Sequence, residues 1–398
     1  MNLSPQQAVD FAIAPYRVNT HFSTGGAAIP VREILQGDNP IPGSGKPSWN
    51  DRIGHVVNID WAEVLSGRSG SGVGKESTFC VLFPHNARDT DWVVAFRGTQ
   101  SGADWASNLQ LSEATGPAGL PVHSGFQKIF ESLEEGIMKR LGTISGTIHC
   151  VGHSLGGALA NLMATSLSSA GVDTRLYTFG CPRVGRNAFA QYTTTKVGAE
   201  HIFRVQNIFD PVPMVPWYDF MHAPASERGI LIARGSSNFN DYGHSADEIY
   251  RPAIADSTWR ALRGGGPSFL QLTEATGIDN LLKIASDQPT GSVYSHFILR
   301  RILNNLLELI AKQIPIVATG IVSVIDQIAY VLHHAARALE AIEERLRKWV
   351  ELALRAVGKA HMIASGAVSL TATFLRWLLE MLARPIVAMA SRALRALS

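Results

Sequence analysis

Five residues, Gly152-His153-Ser154-Leu155-Gly156, carry the strongest chemical signal in the chain. A serine hydroxyl attacks an acyl carbon when it projects from the backbone and a base waits for its proton. Glycines two positions either side of Ser154 permit a tight bend where a Cβ would collide with the neighbouring strand or helix. Thr147 to Val151 is apolar or β-prone and reads as a buried strand. Ala158 to Ala170 reads as a helix rich in small residues. A strand, a sharp turn and a helix around Gly-x-Ser-x-Gly form a nucleophile elbow. The helix then aims its first N–H groups and its dipole at a developing oxyanion, and the Leu155 N–H becomes one donor. The bland alternative is a Gly/Ser-rich loop, and the flanking strand and helix argue against it.

The chain must supply the elements that hold such a serine. Its 398 residues can bury one large core or two smaller ones. With 46% hydrophobic and 17% charged residues it is apolar for a soluble protein. A net charge of +2 gives no nucleic-acid footprint. Cys80, Cys150 and Cys181 are too few and too scattered for a disulfide framework or a zinc site. No metal and no cofactor is expected. Met1 to Tyr16 lacks the basic start and apolar run of a signal peptide. The expected location is therefore cytoplasmic, or outside by a signal-independent route, with membrane association.

Ser4 to Ile13 reads as a helix capped by Ser4, with Pro5 at its first position and Gln7 three residues after the cap. Phe79 to Phe83 and Trp92 to Phe96 are strand-length apolar runs. Phe126 to Leu141 has helical spacing and ends at Gly142. Leu176 to Phe179 and His201 to Val205 read as further buried strands around a helix over Asn187 to Thr194. Strands alternating with helices imply a mainly parallel sheet covered on both faces. The expected division is a wrapping segment over 1–75, the α/β domain over 76–299 and a basic helical region over 300–398.

At this point several ordered blocks resemble the class 3 lipase family of α/β-hydrolases, over roughly Phe79 to Ile232. They are Phe96-Arg97-Gly98-Thr99, Asp104-Trp105, Val122-His123-Ser124-Gly125-Phe126, the elbow, Phe179-Gly180-Cys181-Pro182-Arg183-Val184-Gly185, and Asp210-Pro211-Val212-Pro213. The resemblance implies an α/β-hydrolase, a mainly parallel central sheet with a C-terminal all-α region added. It implies Asp210 as the third group of a triad, against a bland turn-forming Asp-Pro. It also implies Thr99 as the second oxyanion donor and a lid over Gln100 to Asn108.

The base is open between two histidines. His244 sits in Gly-His-Ser-Ala-Asp, which resembles the family's closing motif. His296 leads into a helix, as the family's base does. The resemblance implies that Gly229 to Ile232 runs away from the site, so the chain must climb back. His244 follows Ile232 by only 12 residues, and about ten residues span at most roughly 33–36 Å. His296 is therefore favoured and His244 is the alternate. His222 aligns with a family histidine that is not the base, and His153 should pack beneath the elbow.

Residues 300–398 carry 13 Lys+Arg and 7 Asp+Glu, a net +6 that leaves the rest near −4. Ile316 to Leu332 is nearly apolar, Ala335 to Val357 is amphipathic, and Met362 to Ala383 is apolar until Arg376, with Pro385 as its stop. Three readings compete: a membrane-surface region anchored by Trp349 and Trp377, a core bundle or oligomer contact, and a spanning helix. Taken together, the expectation is a serine carboxylic-ester hydrolase acting on acyl lipids, phospholipid or acylglycerol. Its tail would meet a membrane surface, nucleic acid would not be a partner, and a homo-oligomer stays open. The alternative is an inactive hydrolase scaffold that binds membrane or a partner.

Overall fold

The computed structural model describes residues 2–23, 30–37, 48–49, 52–53, 57, 62–68, 76–84, 91–98, 113–141, 146–207, 209–216, 220–225, 229–234, 241–265, 340–364 and 369–395. The chain divides into two compact units. One holds 1–236, 240–267 and 390–398, and the other holds 237–239 and 268–389.

The first unit is built on a seven-stranded sheet. Its strands in chain order are β1 Glu63–Arg68, β2 Glu76–Pro84, β3 Trp92–Phe96, β6 Ile148–His153, β7 Thr174–Phe179, β9 Ile202–Asn207 and β11 Ile230–Ile232, and they lie side by side in that order. Four short strands, β4 Glu113–Thr115, β5 Pro121–His123, β8 Gly185–Arg186 and β10 Phe220–Met221, make a small second sheet. The first three large-sheet strands pair antiparallel, and every pairing from β3 onward is parallel. The mainly parallel α/β-hydrolase architecture is thus in place. Parallel strands bring their C-terminal ends to one edge, where this class of sheet keeps its ligand crevice.

Helices cover both faces because the parallel strands are apolar throughout. On one face lies α1, Pro5–Ser23. It buries Ala8, Val9, Phe11, Ala12 and Val18 in one cluster with Val81, Val93, Val151, Tyr177 and Val205 of the sheet. Its start is the expected capping box: the Gln7 N–H donates to Ser4 Oγ at 3.2 Å and the Ser4 N–H to Gln7 Oε1 at 2.8 Å. The helix runs ten residues past the expected Ile13, through Pro15. A buried apolar face outweighs the loss of one backbone bond. After α2, Val31–Gly37, come α3, Ser124–Leu141, which buries Phe126, Phe130, Leu133 and Ile137, and α4, Leu155–Ser169, which follows the elbow. Asn187–Val197 forms α5.

In the second unit the described residues begin with a helix over Glu340–Ala356, which buries Leu346, Trp349, Val350, Leu352, Ala353 and Leu354. A helix over Ala372–Arg395, which belongs to this unit as far as Met389, buries Leu375, Leu378, Leu379, Leu382, Ile386 and Met389. The expected stop at Pro385 does not occur, because this three- and four-residue apolar spacing continues on both sides of the proline. Trp349, expected as an interfacial anchor, is 6% exposed. The apolar segment over 316–332 lies outside the described residues. Among the described residues, no helix is long and apolar enough to cross a membrane.

Candidate active site

Ser154 stands between β6 and α4 with φ 59° and ψ −130°, in the left-handed half of backbone space that a non-glycine residue occupies only when its surroundings hold it. Its N–H donates to Phe179 O at 2.9 Å, and its carbonyl accepts from the Gly157 N–H at 2.9 Å. A side chain on Gly152 would collide with the Gly156 carbonyl, and one on Gly156 with the Phe96 carbonyl. The two glycines therefore let strand, turn and helix close on one another. The chain enters the helix directly from the serine, so the Leu155 N–H belongs to the first turn and has no intrahelical partner.

Among the described residues, one imidazole reaches the serine. His244 Nε2 lies 2.8 Å from Ser154 Oγ, and His244 Nδ1 lies 2.6 Å from Asp210 Oδ2. With the serine hydroxyl donating to Nε2, the Nδ1–H donates to the carboxylate. Asp210 follows β9, and its other oxygen, Oδ1, accepts from the Val212 N–H at 2.8 Å. All three side chains are buried. Gly180, at φ +57°, lies against this pair: a Cβ there would fall 2.7 Å from Asp210 Oδ2.

The favoured base of the sequence analysis, His296, lies outside the described residues, whereas the alternate, His244, makes both hydrogen bonds of a base. The objection to His244 rested on strand direction. β11 pairs parallel with β9, Ile230 opposite Val205, so both run toward the edge where Asp210 sits. Twelve residues then need no return journey. His222 is held elsewhere, its Nε2 2.9 Å from Pro213 O. Thr99 and the expected lid over Gln100 to Asn108 lie outside the described residues.

His153 packs beneath the elbow. Its Nε2–H donates to the His244 carbonyl at 2.6 Å, and its Nδ1 accepts from Tyr16 Oη at 3.0 Å. Accepting at Nδ1 needs the neutral ring, and burial drives the His153 pKa well below the usual histidine range. Burial likewise raises the Tyr16 phenol.

Sequence reasoning missed Tyr250. Its hydroxyl donates to Asp210 Oδ2 at 2.6 Å and accepts from the Asn207 N–H at 3.0 Å. The available signal was a tyrosine beside Ile249, six residues after His244, since a buried phenol needs a partner. Among the described residues, no three His, Cys, Asp or Glu side chains gather to hold a metal ion.

Residues 93–220 match the family model described as Lipase (class 3). A secreted mono- and diacylglycerol lipase 1 of Fusarium solani is 37% identical over 155 residues, covering 37% of this chain and 46% of that protein. A phospholipase A1 EG1, chloroplastic/mitochondrial, of Oryza sativa subsp. indica is 28% identical over 158 residues, covering 32% and 36%. The chain spans less than half the length of these relatives. A crystal structure of a mono- and diacylglycerol lipase from Aspergillus oryzae aligns at 21% identity and a TM-score of 0.42, covering 68% of this chain and 94% of that one.

Proposed function

We propose, on the premise that residues 93–220 belong to the class 3 lipase family, that this chain is a serine carboxylic-ester hydrolase of acyl lipids. The observation that carries the reading is the run of hydrogen bonds from Ser154 Oγ through His244 to Asp210, at 2.8 and 2.6 Å, on a serine strained to φ 59°. Ser154 Oγ attacks the ester carbonyl and its proton passes to His244 Nε2. The protonated imidazole then gives that proton to the departing alcohol, which leaves an acyl-serine. Water repeats the sequence and releases the fatty acid. Asp210 holds the ring with Nε2 toward the serine and stabilises its charged form. The Leu155 N–H, joined by Thr99, stabilises the oxyanion.

The relatives' printed substrates, acylglycerols and a phospholipid, support the acyl-lipid class. Phospholipid in a membrane is the preferred substrate, from the net +6 of residues 300–398. Exposed Arg347, Arg376, Arg384 and Arg392 would meet an anionic surface. Hydrolysis of a p-nitrophenyl ester by the wild type and by Ser154→Ala tests the reading. A fall in kcat of about three orders of magnitude or more is expected. Equal rates would sink it.

A further inference from the structure

We propose that Tyr250 is a positioning residue of this site, acting on His244 through Asp210. The inference rests on the hydrolytic reading of Ser154, His244 and Asp210. His244 and Tyr250 lie on one short stretch, in which the Ser245 hydroxyl caps the turn Ala246–Tyr250 by accepting from the Glu248 N–H at 3.1 Å. That turn brings both side chains to the same carboxylate oxygen, each at 2.6 Å. The Asn207 N–H, at the end of β9, donates to the Tyr250 hydroxyl, which aims the phenol proton at Asp210. The Val212 N–H fixes the other oxygen. The carboxylate is thus held by three donors, and all the side chains involved are buried.

Two consequences follow from sharing one oxygen. Tyr250 sets the carboxylate plane that the imidazole must meet. It also draws negative charge from Oδ2, so the carboxylate stabilises the imidazolium less than it would alone. Among the described residues, the groups in contact with the His244 ring are Ser154, Asp210 and the neutral ring of His153, whose centroid lies 4.6 Å from that of His244. None of the others can supply a second proton to Oδ2.

The test is ester hydrolysis by the full chain across pH, with p-nitrophenyl butyrate as probe. In Tyr250→Phe the ring keeps its contacts with His153 and Phe179, and only the hydroxyl is lost. We expect kcat to fall about ten-fold, the scale of one charge-assisted hydrogen bond, with KM within about two-fold of wild type. The acid limb of the kcat/KM profile should move up by about half a pH unit or more, because the unshared carboxylate favours the protonated ring. Replacing Tyr250 by 3-fluorotyrosine gives a stronger donor on the same shape and should move that limb down. A Tyr250→Phe protein with a wild-type rate and limb overturns the proposal, as does a slowed one whose limb is unmoved. If Tyr250→Phe does not fold, an unmoved limb in the fluorotyrosine protein overturns it instead. Ser154→Ala run alongside separates the two levels. If it is as active as wild type, the hydrolytic reading fails; if it is inactive and the limbs stay put, only the Tyr250 inference fails.

Discussion

A serine at φ 59° stores on the order of 1–3 kcal/mol of backbone strain, and what offsets it is local: two backbone bonds and the close approach of Gly152 and Gly156. The histidine, by contrast, arrives from 90 residues away in the chain. Its assignment is tested by two substitutions. His244→Ala should lose at least three orders of magnitude in kcat, as removal of a triad base does, while His296→Ala should keep the wild-type rate. The opposite pattern would return the base to His296. Ser154 and the strand–turn–helix around it were legible because everything that makes an elbow lies within about a dozen residues. Asp210 was legible by its place in a motif. The choice between His244 and His296 was not, because it turned on which way β11 runs, a tertiary fact that no local pattern encodes. Tyr250 was hidden for the same reason: its partner is 40 residues away.

Among the elements, α1 does more than cover the sheet. Two ion pairs join it to the stretch that carries His244. Asp10 Oδ1 accepts from Arg251 Nε at 2.7 Å, and Asp247 Oδ2 accepts from Arg17 Nη2 at 3.0 Å. The second pair is exposed and contributes little. The first is anchored on a fully buried carboxylate, and burial raises the Asp10 pKa despite Arg251. A raised acid pKa means that the protonated form favours folding. That contribution is complete below the unfolded value of about 3.9 and is lost as pH climbs through the raised folded value. Asp10→Asn should therefore cost under about 1 kcal/mol at neutral pH, or even stabilise. Its Tm relative to wild type should improve as pH rises above about 4 and then level off. Arg251→Ala, which removes the cation hydrogen-bonded to the buried carboxylate, should cost about 3–5 kcal/mol. Thermal unfolding of both variants across pH checks this, and a larger loss in Asp10→Asn than in Arg251→Ala would refute it. The capped start of α1 was readable from Ser4, Pro5 and Gln7. Its continuation past Pro15 was not, because the compensation comes from sheet side chains far along the chain.

At the scale of the whole molecule, charge and apolarity are separated by surface. In the described part of the basic region, the leucines that give its helices their amphipathic pattern are buried, whereas Arg347, Arg376, Arg384 and Arg392 are exposed. The periodicity showed which face was apolar but could not show whether protein or lipid covers it. With those leucines buried in the folded chain, the proposed membrane contact falls to the arginines, and electrostatics should govern it. Each basic residue near an anionic surface contributes about 1 kcal/mol, screened within about 8 Å at physiological salt. Co-sedimentation should thus show binding to vesicles containing phosphatidylserine, little binding to phosphatidylcholine alone, and release as sodium chloride rises toward about 1 M. Changing Arg347, Arg376, Arg384 and Arg392 together to Gln should weaken that binding and leave p-nitrophenyl ester hydrolysis in solution unchanged. Leu378→Asp supplies the contrast. Leu378 is 1% exposed, so the burial predicts a lowered Tm, whereas an insertion mode predicts lost vesicle binding at an unaltered Tm. Salt-resistant binding to neutral vesicles, abolished by Leu378→Asp in a protein of wild-type stability, would replace the electrostatic contact with an inserted one.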